Sequence, residues 1–166
     1  ATARAPRATK FTARIPAGTR SANGHVLQKD IVWTLTTPPP KLERFAPQNE
    51  TVTANEIMAA SFDQEIDPEA VLKKIKVSAG GRLIAIRLAT EQEKAANNSV
   101  QRVTQSYTPV PGRWIAFRAV EELPYNSAIN VTFERGLPSA EGPLTTEKPQ
   151  SFSFRTFGPL SYVRAH

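Results

Sequence analysis

Asp63, Glu65, Asp67 and Glu69 set four carboxylates at alternate positions, and an oxygen-rich loop of that kind can ligate Ca²⁺. The glycine and the closing bidentate glutamate of an EF-hand are missing from it. Asp67 can cap a helix that Pro68 opens, so the same acids also read as a solvated turn entering a short helix. That second reading is the one carried forward. His25 and His166 are the only histidines. Neither has a carboxylate or thiol at metal-ligand spacing, or the positioned partner that general-base work needs. There is no cysteine, which removes disulfides, thiolate zinc sites and a thiol nucleophile from this segment. A Gly-x-Ser-x-Gly elbow is lacking, and Gly80-Gly81 is not followed by the Lys-Ser/Thr of a phosphate loop, so it reads as a hairpin turn. Trp33 and Trp114 with Tyr107 suit a carbohydrate platform, but aromatics on alternating strands more commonly serve a core or an interface. Asn49, Asn97 and Asn130 fit the glycosylation sequon, a frequent chance match that is set aside. No catalytic, cofactor-binding or metal-binding residue is assigned, no cofactor is expected, and the chain is not expected to be an enzyme.

Any such groups would have to be positioned by strands. Fourteen prolines in 166 residues argue against long helices, because an internal proline removes a donor and clashes with the preceding turn. Phe11, Ala13 and Ile15 alternate with Thr12 and Arg14, the pattern of a half-buried strand. Ser21 to Gly24 forms a turn, and Ile31 to Thr37 a β-branched and aromatic strand. Pro38-Pro39-Pro40 forbids ladder continuation and marks a stiff domain boundary. Beyond it come an edge strand at Leu42 and Phe45, a strand at 57–62 with Met58, Ala60 and Phe62 on one face, and a helix at 67–72. Strands follow from Ile75 and over Arg82–Leu88. A short helix or partly ordered insertion occupies 90–104, and further strands lie at 113–118, 129–133 and 152–154. About seven short strands with turn signals every eight to twelve residues or so predict an all-β, Ig-like antiparallel β-sandwich.

The start of the chain also resembles its end. Phe11 to Gly24 lies over Ile129 to Gly142, with Gly18 on Gly136, Ser21 on Ser139 and Gly24 on Gly142, at an offset of 118. Past one inserted residue, Trp33 to Pro38 lies over Phe152 to Phe157 at an offset of 119. Self-similarity at a fixed offset marks a modular array. The expected organisation is therefore three segments. Residues 1–38 are a mobile leader and the C-terminal strands of a truncated Ig-like module. Residues 39–159 are a complete sandwich, and 160–166 are a linker. The strands within 11–37 are too few to form a sandwich and should borrow packing from the second module or a neighbouring chain.

The formal net charge is +6, but Arg14, Arg20, Arg82, Arg87, Arg113 and Arg118 are scattered, with no recognition helix or RNA-binding aromatic signature. Nucleic acid is not expected as a partner. No apolar run approaches the ~18 residues of a membrane helix, so this segment is not expected to insert into a bilayer. Residues 1–10 are basic but lack the apolar stretch of a signal peptide.

Phe62-Asp-Gln-Glu-Ile-Asp-Pro-Glu-Ala-Val71 resembles the F-x-x-x-hydrophobic-D-P-x-x-V segment of bacterial Ig-like modules. Ile15 to Gly24, with Trp33-Thr-Leu-Thr-Thr37 after it, resembles the end of such a module. Arg82 to Thr90, Gly112 to Arg118, Pro138 to Thr146 and Gln150 to Thr156 resemble the N-terminal macroglobulin-like region of bacterial α-2-macroglobulins. That resemblance covers most of the chain. It implies a periplasmic or extracellular envelope protein that traps proteases, attached through an upstream lipoprotein or signal segment. The bait segment and the Cys-Gly-Glu-Gln thioester of that family are not visible in this sequence, so no functional residue transfers. The role implied is a scaffold whose partners are neighbouring domains of the same chain, with proteases as targets of the full-length protein. The alternative is an Ig-like module of a cell-surface adhesin or glycan-binding array, which exposed, coplanar Trp and Tyr would favour.

Overall fold

Alternation of apolar and polar residues makes strands of most of this chain. The computed structural model describes residues 5–95, 97–104 and 111–159. In order these form β1 (Lys10–Ile15), β2 (Ile31–Thr36), β3 (Leu42–Ala46), β4 (Thr51–Val52), β5 (Met58–Phe62), α1 (Pro68–Leu72), β6 (Ile75–Ala79), β7 (Arg82–Ile84), β8 (Ile86–Leu88), α2 (Glu91–Ala95), α3 (Asn98–Thr104), β9 (Trp114–Ala119), β10 (Ala128–Phe133) and β11 (Gln150–Thr156). Among the described residues β1 and β2 pair only with each other. The remaining strands make a five-stranded sheet, β4-β11-β10-β6-β7, and a four-stranded sheet, β3-β5-β9-β8. Pairing is antiparallel except where β4 runs parallel to β11.

The two larger sheets enclose one apolar core, the β-sandwich expected from the alternation. Ile129, Val131 and Phe133 of β10 are fully buried. The Phe133 ring stands edge-on to Phe45, Phe62, Phe117 and Phe152, with centroids 5.9, 6.4, 6.3 and 6.0 Å away. Among the described residues the sandwich has nine strands, two more than the approximate count read from the sequence. β4 is only two residues long, and the strand expected over Arg82–Leu88 breaks at Ala85. Its first half pairs with β6 in one sheet, and its second half pairs with β9 in the other.

Asp67 caps α1 as its sequence position suggests, accepting from the Glu69 and Ala70 amides at 3.0 and 3.4 Å, with Pro68 in the first turn. The segment read as a short helix or insertion is two short helices. Val100 and Val103 of α3 pack on the outer face of the four-stranded sheet against Ala46, Ala59, Ala89 and Ala116. Those small side chains leave the room a helix needs to approach a sheet.

α2 is tied down by charge. The Glu93 carboxylate accepts from the Arg87 guanidinium at 2.7 and 2.9 Å, from Arg118 at 2.9 Å and from the Thr90 amide at 2.8 Å. The Arg87 hydrogen bonds first, then the Thr90 amide, hold this carboxyl well below its ordinary value of 4.5. A carboxylate whose pKa is lowered by folding stabilises the fold above that ordinary value, and the contribution drains away as pH falls below it. Amide exchange in α2, corrected for intrinsic rates, should therefore accelerate relative to β10 as pH drops below 4.5. Glu93→Gln should abolish that pH dependence.

Candidate functional site: the joint at the proline triplet

One set of polar side chains converges where the β1–β2 ribbon meets the sandwich. The chain enters through a turn, Pro6-Arg7-Ala8-Thr9, that sits against the exit of β2. The Thr37 hydroxyl accepts from the Thr9 amide at 3.0 Å and donates to the Pro6 carbonyl at 3.0 Å. The Ala8 amide donates to the Pro38 carbonyl at 3.0 Å. On the sandwich side, Arg7 donates to the Asp63 carbonyl and carboxylate at 2.8 and 2.9 Å, and the Lys41 amide donates to the same carboxylate at 2.8 Å. Gln64 is fully buried between the two parts. Its amide nitrogen reaches the Pro38 carbonyl at 3.4 Å, and its oxygen accepts from Ser139 at 2.7 Å. Glu141 accepts from the Glu65 amide at 2.9 Å and from the Arg7 amide at 3.4 Å, and the Leu144 amide donates to the Ala8 carbonyl at 2.8 Å. A Cβ on Gly142 would stand 2.3 Å from the Arg7 carbonyl oxygen and from the Thr9 hydroxyl, so only glycine permits this approach. Residues 7–9, expected in a mobile leader, are therefore held in the joint. Buried backbone groups need partners, and here the sandwich supplies them.

The self-match in sequence is also a match in backbone geometry. Lys10 pairs with Thr36 and Ala128 with Arg155, and the offsets of 118 and 119 carry the first pair onto the second. The Gly18 amide donates to the Leu27 carbonyl at 2.8 Å, and the Gly136 amide to the Thr146 carbonyl at 2.7 Å. Both glycines have positive φ, 86° and 83°. The match also extends further back than Phe11. Thr156 repeats the Thr37 bonds, accepting from the Ser127 amide at 3.0 Å and donating to the Pro124 carbonyl. Ala8 and Asn126 take the same left-handed conformation, φ 51° and 49°. Pro6 and Pro124, with Thr9 and Ser127, stand at the offset of 118 in the sequence; that was the available signal.

The four acids do not gather. Asp63 is engaged in the joint and Asp67 caps α1. Among the described residues no group of three or more His, Cys, Asp or Glu could hold a metal ion. His25 is exposed and contributes its carbonyl to a turn, accepting from the Ser21 amide at 2.9 Å. His166 and Tyr107 lie outside the described residues. Gly80 and Gly81 join β6 to β7 as a two-residue hairpin turn, both with positive φ. Trp33, 49% exposed, lies on β2, whereas Trp114 is half-buried on β9 beneath the Lys94 ammonium, 5.4 Å from its ring centroid. The two tryptophans belong to different sheets.

A surface cleft of about 500 Å³ lies beside Leu83, Val120, Glu122 and Pro124. Hydrogen bonds from Asn55 and Tyr125 lower the Glu122 pKa, and the Glu122 carboxylate raises that of Tyr125. Both shifts oppose acid–base work near neutral pH, because they leave a weaker base and a weaker acid.

One family of known proteins agrees with the sandwich. The family described as bacterial Ig-like domain matches residues 36–156. A curated relative, "Circularly permutated Ras protein 2" of Dictyostelium discoideum, is 28% identical over 132 residues, 78% of this chain. The chain spans only 3% of that protein's length. Similar solved structures include the LD transpeptidase LdtMt1 in complex with imipenem, at 13% identity and TM-score 0.43 over 72% of this chain and 41% of that one. Domains 1–6 of the surface layer protein SbsC also match, at 13% identity and TM-score 0.45 over 74% of this chain and 14% of that one.

Proposed function

The chain belongs to the bacterial Ig-like domain family through residues 36–156, and on that premise we propose that it works by packing and not by bond chemistry. It is a structural module of a bacterial envelope protein of the α-2-macroglobulin type, which traps proteases in the periplasm or at the cell surface. Residues 1–38 belong to one module and 39–159 form the next. The observation that carries this reading is the joint. Arg7, Asp63, Gln64, Ser139 and Glu141 spend their polar groups on fixing one strand pair against a sandwich, and no comparable set surrounds a reacting position among the described residues. A trap must transmit rearrangement through interfaces that can repack, and a joint made mainly of hydrogen bonds and one ion pair can do so. The trap assignment rests on the resemblance at 82–90, 112–118, 138–146 and 150–156.

The test is protease trapping by the full-length protein, with and without residues 1–159, against a panel of proteases. Loss of trapping on deletion is expected; undiminished trapping would make the segment a spacer and reject the role. The adhesin reading draws on the exposure of Trp33. It requires a saturable change in Trp33 fluorescence on adding oligosaccharides, and none is expected.

A further inference from the structure

The β1–β2 ribbon has one apolar face and one polar face. The register puts Phe11 opposite Leu35, Ala13 opposite Trp33 and Ile15 opposite Ile31 on the first face. Lys10, Thr12, Arg14, Thr34 and Thr36 occupy the other with Val32. Among the described residues this face is largely uncovered: Ile15, Ile31, Trp33 and Leu35 are 36%, 48%, 49% and 61% exposed, and Phe11 and Ala13 are half-buried. A two-stranded ribbon with an uncovered apolar face is marginal by itself in water, and contiguous exposed apolar area marks an interaction surface.

The second module shows what covers such a face. Carried by the offsets, Phe11, Ala13 and Ile15 fall on Ile129, Val131 and Phe133, while Trp33 and Leu35 fall on Phe152 and Phe154. Four of these five counterparts are fully or almost fully buried, and Phe152 packs against the same core. What buries them is the facing sheet, β3-β5-β9-β8. The edges agree with the faces. β10 is flanked by β6, and β11 by β4. Their counterparts β1 and β2 have no outer neighbour among the described strands.

We propose that the apolar face of β1–β2 is the closing strand pair of a second Ig-like sandwich, whose remaining strands lie immediately N-terminal in the parent polypeptide. The occupant is an Ig-like sheet pair: a parallel partner strand for β2, an antiparallel one for β1, and a facing sheet with aromatic side chains against Trp33 and Leu35. This rests on the modular part of the proposed function and is independent of protease trapping, so either can fail alone.

The experiment compares two polypeptides in a Trp114→Phe background, where Trp33 is the sole reporter unless the extension adds others, which are also changed to Phe. One is the present chain; the other extends it N-terminally by about 100 residues, the size of an Ig-like module. Readouts are acrylamide quenching of Trp33, amide exchange in β1 and β2, and molar mass by light scattering. In the extended protein, Trp33 quenching should fall several-fold and the β1 and β2 amides should slow by at least about 100-fold, with the protein monomeric. In the shorter one, Trp33 should remain open to quencher. Leu35→Lys should restore quenching in the extended protein while leaving exchange in β10 unchanged, which separates loss of the interface from global unfolding. Trp33 equally open in both would overturn the proposal. So would shielding of Trp33 in the short chain by self-association, which would make a second copy the occupant.

Discussion

Phe133→Ala should lower the unfolding free energy by about 3–5 kcal/mol, whereas Ile15→Ala, at the same place in the repeat, should change it by no more than about 0.5 kcal/mol. Both residues end the first strand of a matched pair and stand before a loop with a positive-φ glycine three residues on. Only the surroundings differ. Phe133 has four aromatic neighbours within 6.4 Å and no exposed surface, so its truncation leaves a cavity the rigid sheets cannot fill. Ile15 is 36% exposed on an uncovered ribbon, and its truncation removes little buried area. Denaturant unfolding followed at both tryptophans checks this. Equal losses at the two positions would mean the ribbon is packed as the sandwich is. In a polypeptide that supplies the strands proposed above, Ile15→Ala should become costly, and the asymmetry should shrink.

The sandwich was legible because its strands alternate cleanly: Ile129, Val131 and Phe133 announce a face by themselves, and Asp67-Pro68 announces a capped helix start. The break at Ala85 was not legible. A strand that changes sheets keeps its β propensity across the change, and only the two sets of partners, β6 and β9, reveal it. The outer helices were half legible. Their position followed from the helix-forming Glu91 to Ala95, but the surface receiving α3 is made of alanines on three strands and the connection before α2, a pattern assembled only by folding. The joint was the least legible feature. Arg7 and Asp63 are 56 residues apart, and Gln64 and Ser139 are 75 apart; no local period links such pairs. The repeat was the best guide, and before Phe11 its signal thinned to Pro6 and Thr9, whose counterparts are Pro124 and Ser127. Ala8 and Asn126 share a conformation without sharing chemistry.

The geometry of the joint leads to a second large effect. Gly142→Ala should part the entering turn from the sandwich. The new Cβ would meet the Arg7 carbonyl oxygen and the Thr9 hydroxyl at 2.3 Å and the Ala8 carbonyl oxygen at 2.6 Å. Two of these are backbone atoms, which cannot rotate away as a flexible side chain could. Overpacking of this kind typically costs about 1–3 kcal/mol, and here the loss is capped, because the joint can open locally while the sandwich stays folded. The signature should therefore be regional. The Leu144 amide, which bonds across the joint to Ala8, should exchange about 10- to 100-fold faster, since each 1.4 kcal/mol is a factor of about ten. The amides of β10 should not change. At Gly24, the counterpart of Gly142 at the offset of 118, an added Cβ would meet nothing within 4 Å, and φ is 86°. Gly24→Ala thus carries only local backbone strain and should leave Leu144 exchange untouched. If the two substitutions act alike on Leu144, the close approach at Gly142 is not what holds the joint; if they differ as stated, one missing methyl group sets how closely two modules can meet.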